Sequence, residues 1–174
     1  MNKQKVLVMG VSGSGKSCIG ERLAKSLGET FYDGDDFHPQ SNIDKMSQGI
    51  PLNDEDRQGW LETLNRLFVS NGGGVIACSA LKPQYRSLLI ENNPELITVY
   101  LRGSFDTIWA RYQKRKGHFF TSKNMLQSQF DTLVEPSTEE AIFVDVEQNV
   151  DQVVEKALCG IRDWSDKLGQ QTGA

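Results

Sequence analysis

The 174 residues contain no apolar run approaching the ~20 that a membrane-spanning helix needs, so no membrane partner is expected. Basic charge is not in excess either. Lys and Arg number 19 against 23 Asp and Glu, a formal net charge of −4 that leaves no basic footprint for a nucleic-acid partner. Cysteine is scarce: Cys18, Cys78 and Cys159 are odd in number and lack metal-type spacing. They read as reduced thiols of a cytoplasmic protein, not as a disulfide framework or a zinc site. There is no internal repeat and no low-complexity segment. Met1 to Lys5 run directly into an apolar strand pattern, so no signal peptide is expected. The length suits one domain with a full core, assigned to residues 1–168, followed by a flexible tail at 169–174.

What is present begins at Gly10-Val11-Ser12-Gly13-Ser14-Gly15-Lys16-Ser17, which has the spacing G-x-x-x-x-G-K-[ST]. Val6 to Met9 before it form an apolar run of buried-strand type. Ile19, Leu23, Ala24 and Leu27 after it recur at helical spacing until Gly28. Strand, glycine loop and helix make the setting in which this motif cradles phosphates. The glycines let backbone N–H groups converge on phosphate oxygens, and the helix N-terminus adds partial positive charge. Lys16 suits the β- and γ-phosphates of ATP, and the Ser17 hydroxyl suits Mg²⁺. The candidate nucleotide-binding run is Gly10 to Ser17 together with Cys18.

Further along, Thr30-Phe31-Tyr32, Val75 to Cys78, Ile97 to Leu101 and Ala141 to Val144 read as four more strands. Helical patterns separate them. One is opened by Asn53 ahead of Asp54, Glu55 and Asp56, with an apolar stripe of Trp60, Leu61, Leu64, Leu67 and Phe68. Another has Pro83 at its first position, a third is capped by Ser104, and the last carries Val150, Val153, Val154, Ala157, Leu158, Ile161 and Trp164. The alternation predicts an α/β fold in three layers: a five-stranded parallel sheet flanked by helices. Ligands of such sheets gather at the carboxyl ends of the strands. The polar clusters follow strands one, two and three, which predicts one composite active site.

Many P-loop hydrolases end their third strand with an Asp for the metal shell. Here that strand ends Cys78-Ser79. The nearest carboxylates are Asp33 and Asp35 after strand two, expected side by side in an extended segment, with Gly34 keeping the backbone slim for an approaching ligand. One would serve the Mg²⁺ shell beside Ser17, and the other would accept the proton of an attacking hydroxyl. The order along the chain assigns Asp33 to the metal and Asp35 to the catalytic role.

In this setting Asp33-Gly34-Asp35-Asp36-Phe37-His38-Pro39, Asn42 to Met46, Gly49 to Arg57, Trp60-Leu61, Cys78 to Lys82, Tyr85-Arg86, Lys116 to Phe119, Met125-Leu126 and Ser128 to Phe130 follow the P-loop in order. The chain resembles the gluconokinases of the small P-loop type, related to shikimate and nucleoside monophosphate kinases. The resemblance covers residues 6 to about 146 and departs from the family at Val134 and Ile90. It implies ATP-dependent phosphorylation of D-gluconate to 6-phosphogluconate with Mg²⁺, a mobile lid at about 114–124, and a homodimer. A sugar acid needs guanidinium groups for its carboxylate and polar side chains for its hydroxyls. Arg57 and Arg86 are candidates for the first, and His38 and Asp35 for the second. Gln129 joins them mainly on the family pattern. Arg111, Lys114, Arg115, Lys116 and His118 form a basic stretch with Gly117 as the permissive residue. Arg111 is expected against adenine or ribose, and Arg115, as a catalytic residue, or Lys116 is expected on the phosphates. Two alternatives stand beside this reading: a kinase for shikimate or a nucleotide-like acceptor, and a nucleotide-dependent switch. The missing strand-three carboxylate speaks against the switch.

Overall fold

The computed structural model describes residues 3–114 and 123–173. Five parallel strands, β1 (Lys5–Met9), β2 (Phe31–Asp33), β3 (Gly74–Ala77), β4 (Ile97–Arg102) and β5 (Ile142–Asp145), form one sheet in the order β2-β3-β1-β4-β5. The helices are α1 (Lys16–Leu27), α2 (Gln40–Ser47), α3 (Asp54–Asn71), α4 (Pro83–Ile90), α5 (Phe105–Lys114), α6 (Lys123–Thr132) and α7 (Val150–Thr172). The three-layer α/β architecture predicted by the alternation is the one observed.

The central strand shows why both faces need cover. Successive side chains of a strand point to opposite faces. Val6 and Val8 enter one core with Ile19, Leu23, Ile108, Leu126, Val153 and Ile161, drawn from α1, α5, α6 and α7. Leu7 and Met9 enter the other with Trp60, Leu61, Leu64, Phe68 and Leu89 from α3 and α4. Val6, Leu7, Val8 and Met9 are all fully buried. The continuous apolar run Val6–Met9 within β1 is what a parallel sheet buried on both sides requires.

Local signals set the helix ends. Asn53 accepts from the Asp56 N–H while the Asp56 carboxylate accepts from the Asn53 N–H, a reciprocal cap at the start of α3. Asn149 and Gln152 repeat the arrangement at α7. Over the expected tail at 169–174, α7 continues to Thr172. Gln170 and Gln171 are good helix formers, and the Thr172 hydroxyl and Gly173 N–H donate back to the Gly169 carbonyl.

Two further expectations change at the end of β2. Asp35 does not continue the strand: Gly34–Phe37 form a 3₁₀ turn that Asp33 caps, its Oδ1 accepting from the Asp35 N–H at 3.0 Å. Short carboxylates favour this local bond over strand pairing. Gly34 is buried, and a Cβ there would lie 2.5 Å from the Ala77 carbonyl oxygen. Its missing side chain therefore serves the contact of β2 with β3, not a ligand. Gly34→Ala is expected to cost about 1–3 kcal/mol through overpacking, read as a lower urea midpoint. An unchanged midpoint would show that the turn yields freely.

Candidate active site

The phosphate loop leaves β1 at Gly10 and enters α1 through Gly15, which holds a left-handed φ of +96° at the helix N-cap. Gly15 brings no side-chain cap, so the first-turn N–H groups of α1 are left for an anion. Gly13 has φ +80°, and a Cβ on it would lie 2.8 Å from Cδ2 of Tyr112. The loop thus leans directly on α5. Arg111 sits one residue before that contact, in the last turn of α5 and partly buried. Val11 and Ser14 are buried, while Ser17 and Cys18 are exposed on the first turn of α1.

Lys16 folds back over the loop, its Nζ donating to the Val11 carbonyl at 3.0 Å. Burial lowers its pKa, opposed by the negative field of Asp35 and Asp33. The Ser17 hydroxyl donates to Asp33 Oδ2 at 2.9 Å. These two hard oxygens fit Mg²⁺, which takes one or two protein oxygens and completes its shell with water and substrate phosphates. Among the described residues there is no cluster of three or more His, Cys, Asp or Glu that would make a denser metal cage. Cys78, at the position where other P-loop proteins carry a carboxylate, is a buried thiol pushed up to about 12 by desolvation.

The candidate acceptor side is built by the 3₁₀ turn, α2, α3 and α4. The protein around Asp35 lifts its carboxyl above the ordinary aspartate value, with Asp33 adding repulsion and Lys16 and His38 pulling it back. Its side chain is 85% exposed, so water still reaches the anion and the lift is weaker than full burial would produce. His38 Nε2 lies 4.0 Å from Asp35 Oδ1. The imidazole stacks on the Trp60 indole at 4.1 Å between ring centres. Burial holds His38 below the ordinary histidine value; Asp35 opposes this and Arg57 adds to it.

The hydrogen bonds of Asn42 assign the His38 tautomer. The Asn42 Nδ2 donates to the Asp56 carbonyl at 2.8 Å, so that face of the amide must be the NH₂ group. The same nitrogen lies 3.2 Å from His38 Nδ1, which must then accept. Neutral His38 consequently carries its proton on Nε2, toward Asp35.

Arg57 donates through Nη1 to the Leu52 carbonyl at 2.8 Å and to the Tyr85 hydroxyl at 3.1 Å. The Tyr85 hydroxyl in turn donates to Asp54, which also accepts from Lys82 and Gln84. One corner of the guanidinium is pinned in this way. Among the described residues its Nε and Nη2 donate to no protein group, which leaves a planar edge suited to a carboxylate.

Two predicted residues are placed differently. Arg86 is 8% exposed and donates through Nη1 and Nη2 to the carbonyls of Ala80 and Val134, each at 2.8 Å. It clamps the loop after β3, where Ala80 adopts φ +48°, to the segment after α6. Gln129 faces the phosphate loop, with both ends of its amide on Ser12. Arg115, Lys116, Gly117 and His118, and with them residues 115–122 of the lid expected at about 114–124, lie outside the described residues. Trp60 and Tyr85 were missed as site-shaping residues. Trp60 donates from Nε1 to the Gly34 carbonyl at 2.7 Å besides carrying His38. A Trp in an apolar stripe was itself the signal, because a buried indole N–H needs an acceptor.

Comparison with known proteins places the chain in a family. The family described as shikimate kinase matches residues 12–161. The chain is 47% identical over 158 residues to the thermoresistant gluconokinase of Escherichia coli (strain K12), covering 87% of this chain and 90% of that one. It is 48% identical over 155 residues to the thermosensitive gluconokinase of the same organism, covering 87% and 82%. The crystal structure of a gluconokinase from Sinorhizobium meliloti 1021 superposes with a TM-score of 0.91 at 42% identity, covering 98% of each chain. With its phosphate loop, its strand-two carboxylate and this degree of likeness, the chain belongs to the gluconokinase family of shikimate kinase-like P-loop kinases.

Proposed function

We propose that the protein transfers the γ-phosphoryl group of ATP to a hydroxyl of D-gluconate, giving 6-phospho-D-gluconate. The observation that carries this reading is the pairing of a phosphate loop with an acceptor wall. That wall offers a carboxylate (Asp35), a neutral ring N–H (His38) and one open guanidinium edge (Arg57). A sugar acid presents the complementary set of one carboxylate and several hydroxyls.

Each residue has a task that follows from its surroundings. Lys16 exchanges the Val11 carbonyl for phosphate oxygens and sets positive charge where the transferring group develops negative charge. Asp35 accepts the proton of the attacking hydroxyl, and its raised pKa improves it as a base. His38 donates from Nε2 to a neighbouring hydroxyl, and the open edge of Arg57 receives the carboxylate. Ser17 and Asp33 are the residues that would hold Mg²⁺, whose charge would shield the phosphates. The resemblance also supports a homodimer, which light scattering of the purified protein would test. No described helix is long and apolar enough to cross a membrane.

The direct test is ATP consumption with and without D-gluconate, run beside shikimate and a nucleoside monophosphate. Gluconate alone is expected to start turnover; consumption indifferent to it would overturn the acceptor assignment. Lys16→Ala is expected to retain the fold and lose about 10³-fold in turnover, within the range for removing fixed charge from a phosphoryl-transfer site. Near-normal turnover in the folded variant would remove Lys16 from the chemistry.

Asp35 makes a pH prediction. A base acts only when deprotonated, so activity falls as pH drops through its pKa. Because that pKa is raised from 3.8, the acid limb of kcat/KM is expected above the ordinary aspartate range. Asp35→Asn should abolish that limb and lower turnover about 10²-fold or more, with ATP binding retained. Asp33→Asn is instead expected to raise the Mg²⁺ concentration needed for half-maximal rate. An exchange of these two phenotypes would exchange the two roles.

A further inference from the structure

The Gln129 amide closes a two-bond ring with one residue of the phosphate loop. Its Oε1 accepts from the Ser12 backbone N–H at 2.7 Å, and its Nε2 donates to the Ser12 hydroxyl at 2.8 Å. The partners are 117 residues apart. Only a side chain carrying a donor and an acceptor at amide spacing closes such a ring without adding charge.

Gln129 is also held firmly from behind. Leu126, three residues earlier on α6, is fully buried, and Phe130 packs edge-on against Phe105 of α5 at 5.5 Å between ring centres. The Gln129 carbonyl accepts from the Leu133 N–H at the end of the helix. The neighbouring loop residue, Gly13, meets Tyr112 and Ile108 of α5. Helices α5 and α6 thus form a wall behind the crest of the loop, with Gln129 as its polar contact. Immediately after Ser12 the loop tightens, the Ser14 N–H reaching back to the Val11 carbonyl at 3.2 Å.

We propose that Gln129 is a positioning residue for nucleotide binding. It holds the crest of the phosphate loop, through Ser12, in the shape that receives the phosphates, and it does not read the sugar acid. The inference rests on the nucleotide half of the proposed function and is independent of which acceptor is used. Replacing the amide by an apolar chain frees the Ser12 N–H and lets the crest relax. Replacing it by a carboxylate places negative charge beside a polyanion site.

The test compares Gln129→Met, Gln129→Glu and Ser12→Ala with wild type in the full chain. ADP affinity is measured by calorimetry, the KM values for ATP and gluconate are measured separately, and thermal melting serves as the folding control. Gln129→Met is expected to weaken ADP and raise the ATP KM about 10-fold, the effect of about 1.4 kcal/mol, with the gluconate KM within twofold of wild type. Gln129→Glu should weaken ADP further, with a deficit that shrinks as salt is added, a signature that loss of packing does not produce. Ser12→Ala should weaken ADP, and combining it with Gln129→Met should add little. A raised gluconate KM with unchanged nucleotide constants would overturn the proposal and make Gln129 an acceptor contact. Unchanged nucleotide constants in the folded variants would overturn it as well. If Gln129→Met does not fold, the salt-dependent deficit of Gln129→Glu and the loss in Ser12→Ala still decide. ADP affinity requires no acceptor, so a protein that ignored gluconate would refute the acceptor assignment without touching this one.

Discussion

The active site depends on one hydrogen bond, from the Ser17 hydroxyl to the Asp33 carboxylate. It joins the first turn of the P-loop helix to the end of β2, although β3 lies between β1 and β2 in the sheet. The span is feasible because β2 and β3 finish level: Asp33 pairs with Ala77, and Gly34 then passes against the Ala77 carbonyl with no side chain between. A carboxylate at the end of β3 would compete for the same space and charge. Cys78 stands there instead, small, buried and protonated. The bond is exposed, so its contribution to stability is modest. Its importance is positional. The second oxygen of Asp33 caps the Asp35 N–H, so a single carboxylate orients both the Ser17 hydroxyl and the proposed base.

From that corner the acceptor wall is assembled by progressively more buried contacts. Asp35 stands on a turn whose Gly34 carbonyl accepts from Trp60, and Trp60 carries His38 on its face. Asn42, 2% exposed, links the His38 ring to the Asp56 carbonyl on α3. The polar groups that would meet substrate are therefore each backed by a neighbour that is buried or pinned. Such support holds them near a productive geometry without help from the ligand.

The fold was legible because its signals are local. The apolar strands, the Asn53 and Asn149 caps and the P-loop each reside within a few consecutive residues, and their alternation admits few topologies. The site was legible in its residue types and less so in its partners. Asp33, Asp35, His38 and Arg57 do gather at the strand ends. The geometry of Asp33-Gly34-Asp35 was misread because an extended pair and a capped 3₁₀ turn share the same letters, and a carbonyl on β3 decides between them. Arg86 and Gln129 illustrate the harder limit. Their partners, Val134 and Ser12, lie 48 and 117 residues away, and no spacing rule connects side chains across such distances.

The two faces of the sheet divide the labour of the site. The phosphate loop leans on Tyr112 and Gln129, whose helices pack into the core shared with α1 and α7. The proposed acceptor residues lean on Trp60 and Tyr85, which belong to the opposite core with α3 and α4. Packed interiors have low compressibility and transmit strain among the residues they enclose. Changes on one face should therefore alter nucleotide affinity, and changes on the other acceptor affinity, largely independently. The Asp33 corner is where the two meet, because it touches α1 through Ser17 and the acceptor turn through the Asp35 N–H. A perturbation there would be felt by both substrates. That makes the corner the natural place for their binding to be coupled, and it explains why a single short carboxylate, rather than a larger assembly, can organise a two-substrate site.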